Sequence, residues 1–141
     1  ITYAPGAITT TTIYRRIASS STCFAITPSI TITVTPTLSA GAIAGTETIC
    51  AGSTASTLTS NAAASGGNGA YSYQWQSSLD GSSWGNIGSA TSTTYAPGTL
   101  TVTTHYRRLV TSENCSNLAS NTIVKTVTTA LDPGDIGSNQ S

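Results

Sequence analysis

Apolar and polar residues alternate along much of this chain, most plainly in Ile30-Thr31-Ile32-Thr33-Val34-Thr35. Successive strand side chains point to opposite faces, so such a stretch puts Ile and Val on one face and Thr on the other. No segment repeats its apolar residues every 3.6 positions, and the pattern predicts an all-β chain. A first, broken edge strand is expected at Ala42–Ala44 and Glu47–Cys50, and a second strand at Thr57–Ser60. Tyr71–Ser77 reads as a central strand carrying Trp75, preceded by a turn at Gly66-Gly67-Asn68-Gly69. Asp80-Gly81 signals a two-residue hairpin leading to a strand with Trp84 and Ile87. Thr93–Ala96, ended by Pro97-Gly98, then Val102–Thr111 and Ser120–Thr128, complete the set.

An internal repeat organises these strands. Residues 2–23 (TYAPGAITTTTIYRRIASSSTC) match residues 94–115 (TYAPGTLTVTTHYRRLVTSENC) at an offset of 92, with 13 of 22 positions identical. Beyond the cysteine the register slips by one: Ile30 matches Ile123, Val34 matches Val127 and Leu38 matches Leu131. The period of 92–93 residues is too long for a solenoid unit and suits an independent sandwich. Residues 37–129 are expected to be one complete repeat, 1–36 the C-terminal part of a preceding one and 130–141 the start of a following one. Equivalents of 49–92 are missing from both flanking pieces, so the chain is expected to be a segment of a longer array continuing in both directions. About seven short strands with turn signals between them is the immunoglobulin-like pattern.

Specific strings carry a resemblance. Tyr73-Gln74-Trp75-Gln76-Ser77-Ser78, Asp80-Gly81-Ser82-Ser83-Trp84, Thr94-Tyr95-Ala96-Pro97 and Tyr106-Arg107-Arg108 resemble the Ig-like repeats of very large type IX-secreted surface proteins of the Bacteroidetes, among them gliding-motility adhesins of the SprB type. Gly45-Thr46-Glu47-Thr48-Ile49-Cys50-Ala51-Gly52 is similar to the first strand of that family. The resemblance covers essentially the whole chain. It implies an extracellular, cell-surface module whose partners are neighbouring repeats, head to tail.

Composition narrows the classes. Thr (28) and Ser (21) make up about a third of the 141 residues, and charged residues are 7%, five basic against five acidic. Nucleic-acid binding through a basic patch is excluded, because phosphate affinity needs clustered Lys and Arg. No apolar run reaches the roughly 20 residues of a membrane span. The Ser/Thr surface suits exposed strands and offers sites for O-linked glycans. Asn114-Cys115-Ser116 and Asn139-Gln140-Ser141 fit the N-glycosylation pattern.

The repeat also accounts for three cysteines. Cys23 and Cys115 occupy one repeat position and Cys50 another. Cys50 and Cys115 are therefore expected to form a disulfide, with Cys23 unpaired; the alternative is two reduced thiols. Such a bond would stabilise the fold by about 4 kcal/mol through loop entropy and imply an oxidising compartment. With no CxxC spacing and one histidine, a zinc site is not expected, nor is any cofactor.

No catalytic group emerges. His105 is replaced by Ile13 in the other copy, and Glu47, Asp80, Glu113, Asp132 and Asp135 form no acid/base pair. Lys125 is matched by Ile32, or by Thr33 without the register slip, so a Lys–Asn crosslink is not expected. Trp75, Tyr106 and Tyr14 read as core. One arginine of each Arg15-Arg16 and Arg107-Arg108 pair must point toward the core, where it can stack on Trp75 or Trp84. Trp84, Arg107 and Arg108 are the candidate binding or stacking residues, with surface polysaccharide as the ligand class. The chain is thus read as a structural or adhesive spacer rather than an enzyme, with a carbohydrate- or surface-binding module as one alternative. A donor-strand polymer subunit is the other, because residues 1–36 supply only the last strands of a sandwich.

Overall fold

The computed structural model describes residues 2–113 and 115–129. The expected start of a following repeat at 130–141 lies outside the described residues, as do Asn114 and Asn139 of the glycosylation tripeptides. The described residues form fourteen strands and no helix. The chain divides into two compact units, Ile1–Thr37 and the part from Leu38 onward.

The first unit has four strands, β1 Thr12–Tyr14, β2 Ile17–Ser20, β3 Cys23–Ile26 and β4 Ile30–Ile32. They make two antiparallel ribbons, β1 with β4 and β2 with β3. Among the described residues no second layer covers them: β2, β3 and β4 are exposed throughout.

The second unit is a sandwich of β5 Ala42–Ala44, β6 Glu47–Cys50, β7 Ser53–Ala55, β8 Thr59–Ala62, β9 Ser72–Ser78, β10 Gly85–Asn86, β11 Gly98–Leu100, β12 Thr104–Ser112, β13 Cys115–Ala119 and β14 Ile123–Thr128. One layer is a six-stranded sheet in the order β10-β9-β12-β14-β6, with β13 also on β12. Within it β6 runs parallel to β14, and the other pairings are antiparallel. The pairs β5-β8 and β11-β7 face it. The core between them contains Ile43, Ala55, Leu58, Trp75, Leu100, Tyr106 and Ile123. A second cluster of Leu38, Ala40, Ala64 and Val110 closes one end, with Cys115 packed against it.

Strand β12 shows how alternation makes this layer. Thr104, Tyr106, Arg108, Val110 and Ser112 are buried, while His105, Arg107, Leu109 and Thr111 are half-exposed. The full register against β9 pairs Tyr106 with Ser77, Arg108 with Trp75 and Val110 with Tyr73. At the end of β12, Gly67 has φ +58° and lies so close to Ser112 that a Cβ would collide with its hydroxyl. Asn68 N donates to Ser112 Oγ at 3.1 Å, fastening that turn.

The strand readings need four corrections. The strand expected at Thr57–Ser60 starts later, as β8 at Thr59, and a separate strand β7 precedes it; between them the Ser56 amide donates to Glu47 Oε1 at 2.7 Å. Thr93–Ala96 contributes an isolated bridge between Tyr95 and Leu58; the strand follows Pro97, since Gly98 at φ +77° opens it. Asp80-Gly81 is not a two-residue hairpin. The loop between β9 and β10 spans residues 79–84, and Asp80 Oδ1 accepts from the amides of Ser82 and Ser83, both at 2.7 Å. Strand β13 was not anticipated, because its sequence CSNLA lacks the β-branched alternation seen elsewhere.

The core reading of Tyr14 also changes. It is only half-buried, because no facing sheet covers β1 in the first unit. Tyr106, at the same repeat position, is 3% exposed.

Trp75 is fully buried and its indole N–H donates to Ser92 O at 2.9 Å. Truncation removes a large ring and leaves a cavity. Trp75→Ala should cost about 3–5 kcal/mol, while Trp75→Phe should cost less than half of that. Urea unfolding followed by far-UV circular dichroism measures both.

Candidate functional site

The two adjacent arginines of β12 point to opposite faces and meet different chemistry. Arg108 is fully buried. Its Nη1 donates to Ser60 Oγ and to Thr93 O, each at 2.6 Å. The guanidinium carbon lies 4.6 Å from the Tyr73 ring centroid and 5.7 Å from that of Trp75. Among the described residues no carboxylate pairs with it, and its Nε has no hydrogen-bond partner. Burial lowers its pKa from the ordinary value, but a guanidinium keeps its proton. The charge is thus held by aromatic faces and neutral oxygens, and the group links β12 to β8 across the core.

Arg107 points outward. Its guanidinium stacks on Trp84 at 4.3 Å, and Nε donates to Gln76 Oε1 at 2.7 Å. Gln76 in turn donates to Asn86 Oδ1 at 2.8 Å. Trp84, Arg107, Gln76 and Asn86 therefore form one chain across β10, β9 and β12. The ring of Trp84 is half-exposed, and one of its faces is taken by Arg107. Gln76 and Asn86 were not singled out in the sequence. Period-two alternation puts Gln76 opposite Trp75 in direction, which was the available signal.

Lys125 is fully buried and joins Glu47 Oε1 at 2.7 Å and Ser56 Oγ at 2.9 Å. The parallel register sets Lys125 beside Glu47, so the pair ties β14 to β6. The Glu47 carboxyl lies below the usual range because it accepts from Lys125 and then from the Ser56 amide, against partial desolvation. Asp80 is held well below it by the amides of Ser83 and Ser82 and then the Ser78 hydroxyl. Glu113 accepts from Asn68 Nδ2 at 2.6 Å. Asp132 and Asp135 lie outside the described residues. His105 stands at the surface beside Gly81. Among the described residues no three of His, Cys, Asp and Glu stand together as metal ligands.

The expected Cys50–Cys115 disulfide is overturned. Both residues carry free thiols. Cys115 pairs with Ser112 at one end of β12, whereas Cys50 pairs with Thr128, three residues beyond the Lys125–Thr104 pair at the other end. Eight steps along β12 and three along β14 separate the two levels, about 36 Å at the usual rise per residue. A disulfide needs Cα atoms within about 7 Å. Equal numbers of cysteines per repeat did not imply pairing within a repeat. Cys23 is free and exposed.

The first unit carries an open groove of about 710 Å³ lined by Tyr3, Tyr14, Arg16, Pro28, Ile30 and Ile32 among others. Its β1–β4 ribbon pairs Thr12 with Ile32 and Tyr14 with Ile30. The second unit pairs Thr104 with Lys125 and Tyr106 with Ile123, the same register at the repeat positions. Arg16 is exposed where Arg108 is buried, and Ile30 is 65% exposed where Ile123 is 7%. The groove is the uncovered form of the surface that the second unit buries.

The model of a domain of unknown function, DUF8696, matches residues 39–129, and the chain belongs to that family. No curated protein matches the chain. No solved structure matches it.

The two arginines should separate on substitution. Arg108→Ala, which strands Ser60 and Thr93 and opens a cavity between the layers, should cost about 3 kcal/mol or more. Arg107→Ala should cost less than about 1 kcal/mol, since its contacts are partly hydrated. Urea midpoints of the two variants test the difference.

Glu47 and Asp80 both have folded pKa values below their unfolded ones. Their stabilisation is complete above the unfolded values near pH 4 and is lost as pH falls through the folded ones. The thermal midpoint should therefore fall on acidification below about pH 4.5. A Glu47→Gln/Asp80→Asn double variant should show a shallower fall between pH 5 and about pH 2 in a calorimetric pH series.

Proposed function

We propose that this chain is built of immunoglobulin-like repeats that form the shaft of a bacterial cell-surface adhesin or extracellular filament. The observation that carries this reading is the 92-residue repeat together with the polarity of the second unit. The chain comes in at Leu38, in the cluster with Val110 and Cys115. It leaves at Thr128, beside Cys50, at the opposite end of the sheet. A module with its two ends at opposite poles lengthens a polypeptide each time it is repeated, whereas one with adjacent ends folds back. The strand order also supports the immunoglobulin-like assignment. A large sheet centred on the penultimate long strand and its hairpin partner faces a smaller sheet built from early strands and the strand before β12.

The Ser/Thr-rich surface and the near absence of charge suit a solvated spacer. Trp84 is the feature that favours a carbohydrate-binding module, because sugars stack on exposed rings. Arg107 occupies one of its faces, and Trp75 and Tyr106 are buried, so neither joins Trp84 in a row of exposed rings. The groove of the first unit supports a further part of the proposal. Strands equivalent to those of residues 38–92 cover it, supplied along the same polypeptide.

Chains of one, two and three complete 92-residue copies, joined at the Leu38-type position, provide the test. Small-angle scattering should give a maximum dimension that rises by an equal increment with each copy and is independent of concentration. A dimension that stays constant with copy number would overturn the spacer reading. Folding only on concentration-dependent association would replace the tandem array with a donor-strand polymer of separate subunits.

A further inference from the structure

Two thiols mark the two poles of the second unit. Cys50 is exposed where the chain leaves, level with Thr128. Cys115 is partly exposed where the chain comes in, against the cluster that contains Leu38. They are out of reach of each other within one copy. Between consecutive copies the distance changes. Thr128 and Leu131, the residue that matches Leu38, are three positions apart in the sequence, a reach of about 10 Å for extended chain. In a tandem array this short spacing would bring the incoming pole of a following copy, with its own cysteine matching Cys115, within reach of Cys50 of the copy before it. The position of Cys115 is cysteine in the earlier copy as well, as Cys23.

We propose that consecutive copies are joined by a disulfide from Cys50 of one copy to the cysteine matching Cys115 in the next. The inference rests on the tandem reading and gives the joint a chemistry. Each sulfur gives up its proton, and the two electrons pass to a small-molecule disulfide such as oxidised glutathione, which leaves as two thiols. The bond forms outside the sandwich core, so either unit folds without it. It adds a covalent tie to a joint of only a few residues. This also accounts for two cysteines per repeat that cannot meet inside the repeat.

The test uses the whole chain extended at its C-terminus by residues 49–129, so that 130–141 leads into a second complete copy. The three cysteines of the chain and two from the extension make five. After treatment with oxidised glutathione, thiol titration should find three. Peptide mapping without reduction should join Cys50 to the second copy's counterpart of Cys115. Serine at that counterpart should abolish the bond, whereas Cys115→Ser in the first copy should leave it intact. Five free thiols in the folded, oxidised chain would overturn the proposal, as would loss of the bond on Cys115→Ser in the first copy. Scattering from the reduced chain reports the elongated array independently. An elongated chain with five thiols would sink the staple alone, and a chain that fails to lengthen would sink the tandem reading with it.

Discussion

The inner face of β12 must be covered, and the rest of the sandwich follows from that requirement. This face presents Tyr106, Arg108 and Val110, of which Arg108 is a full positive charge with no carboxylate partner among the described residues. An isolated buried cation is costly unless its donors and its field are met. Ser60 and Thr93 meet two donor interactions, and the rings of Tyr73 and Trp75 meet the field. These partners come from β8, from β9 and from the segment before β11, so satisfying one guanidinium draws both layers together. The first unit shows the same hairpin without those partners. The register of β1 and β4 is kept, yet Arg16 and Ile30 are exposed. Pairing of the late strands is therefore local, and burial is what the earlier strands of a repeat add.

Much of this was legible in the sequence because it depends on period and spacing. The Thr/Ile alternation pointed to all-β strands, which the described residues form. The opposed directions of Arg107 and Arg108 follow from strand geometry alone. What was not legible depends on partners distant in sequence. Between β7 and β8 the Ser56 amide donates to Glu47, a partner nine residues away on β6. Asp80 gathers two amides and two hydroxyls, so a longer loop replaces the tight turn its neighbour Gly81 suggested. Lys125 looked idle because the other copy lacks it, and the Glu47 that neutralises it comes from the opposite end of the sequence on a parallel neighbour.

The cysteines show the limit most sharply. Counting gave two per repeat, and counting says nothing of where along a sheet each one lies. Register does: β13, paired with β12, holds Cys115 at one end, and β6, paired with β14, holds Cys50 at the other. The same geometry that forbids a bond inside one repeat separates the incoming and outgoing ends of the chain. The loss of the expected internal staple and the case for an extending module are thus one observation. Stability of the sandwich rests on the packing around Trp75, the Arg108 bridge and the Lys125–Glu47 tie.

That polarity is the claim on which the account stands, and a distance measures it. With Cys23 replaced by alanine, nitroxide labels on Cys50 and Cys115 report their separation by double electron–electron resonance. A distribution centred near 36 Å is expected, about the span of the strands between them. A distribution centred below about 15 Å would contradict it, placing both ends of the module at one pole.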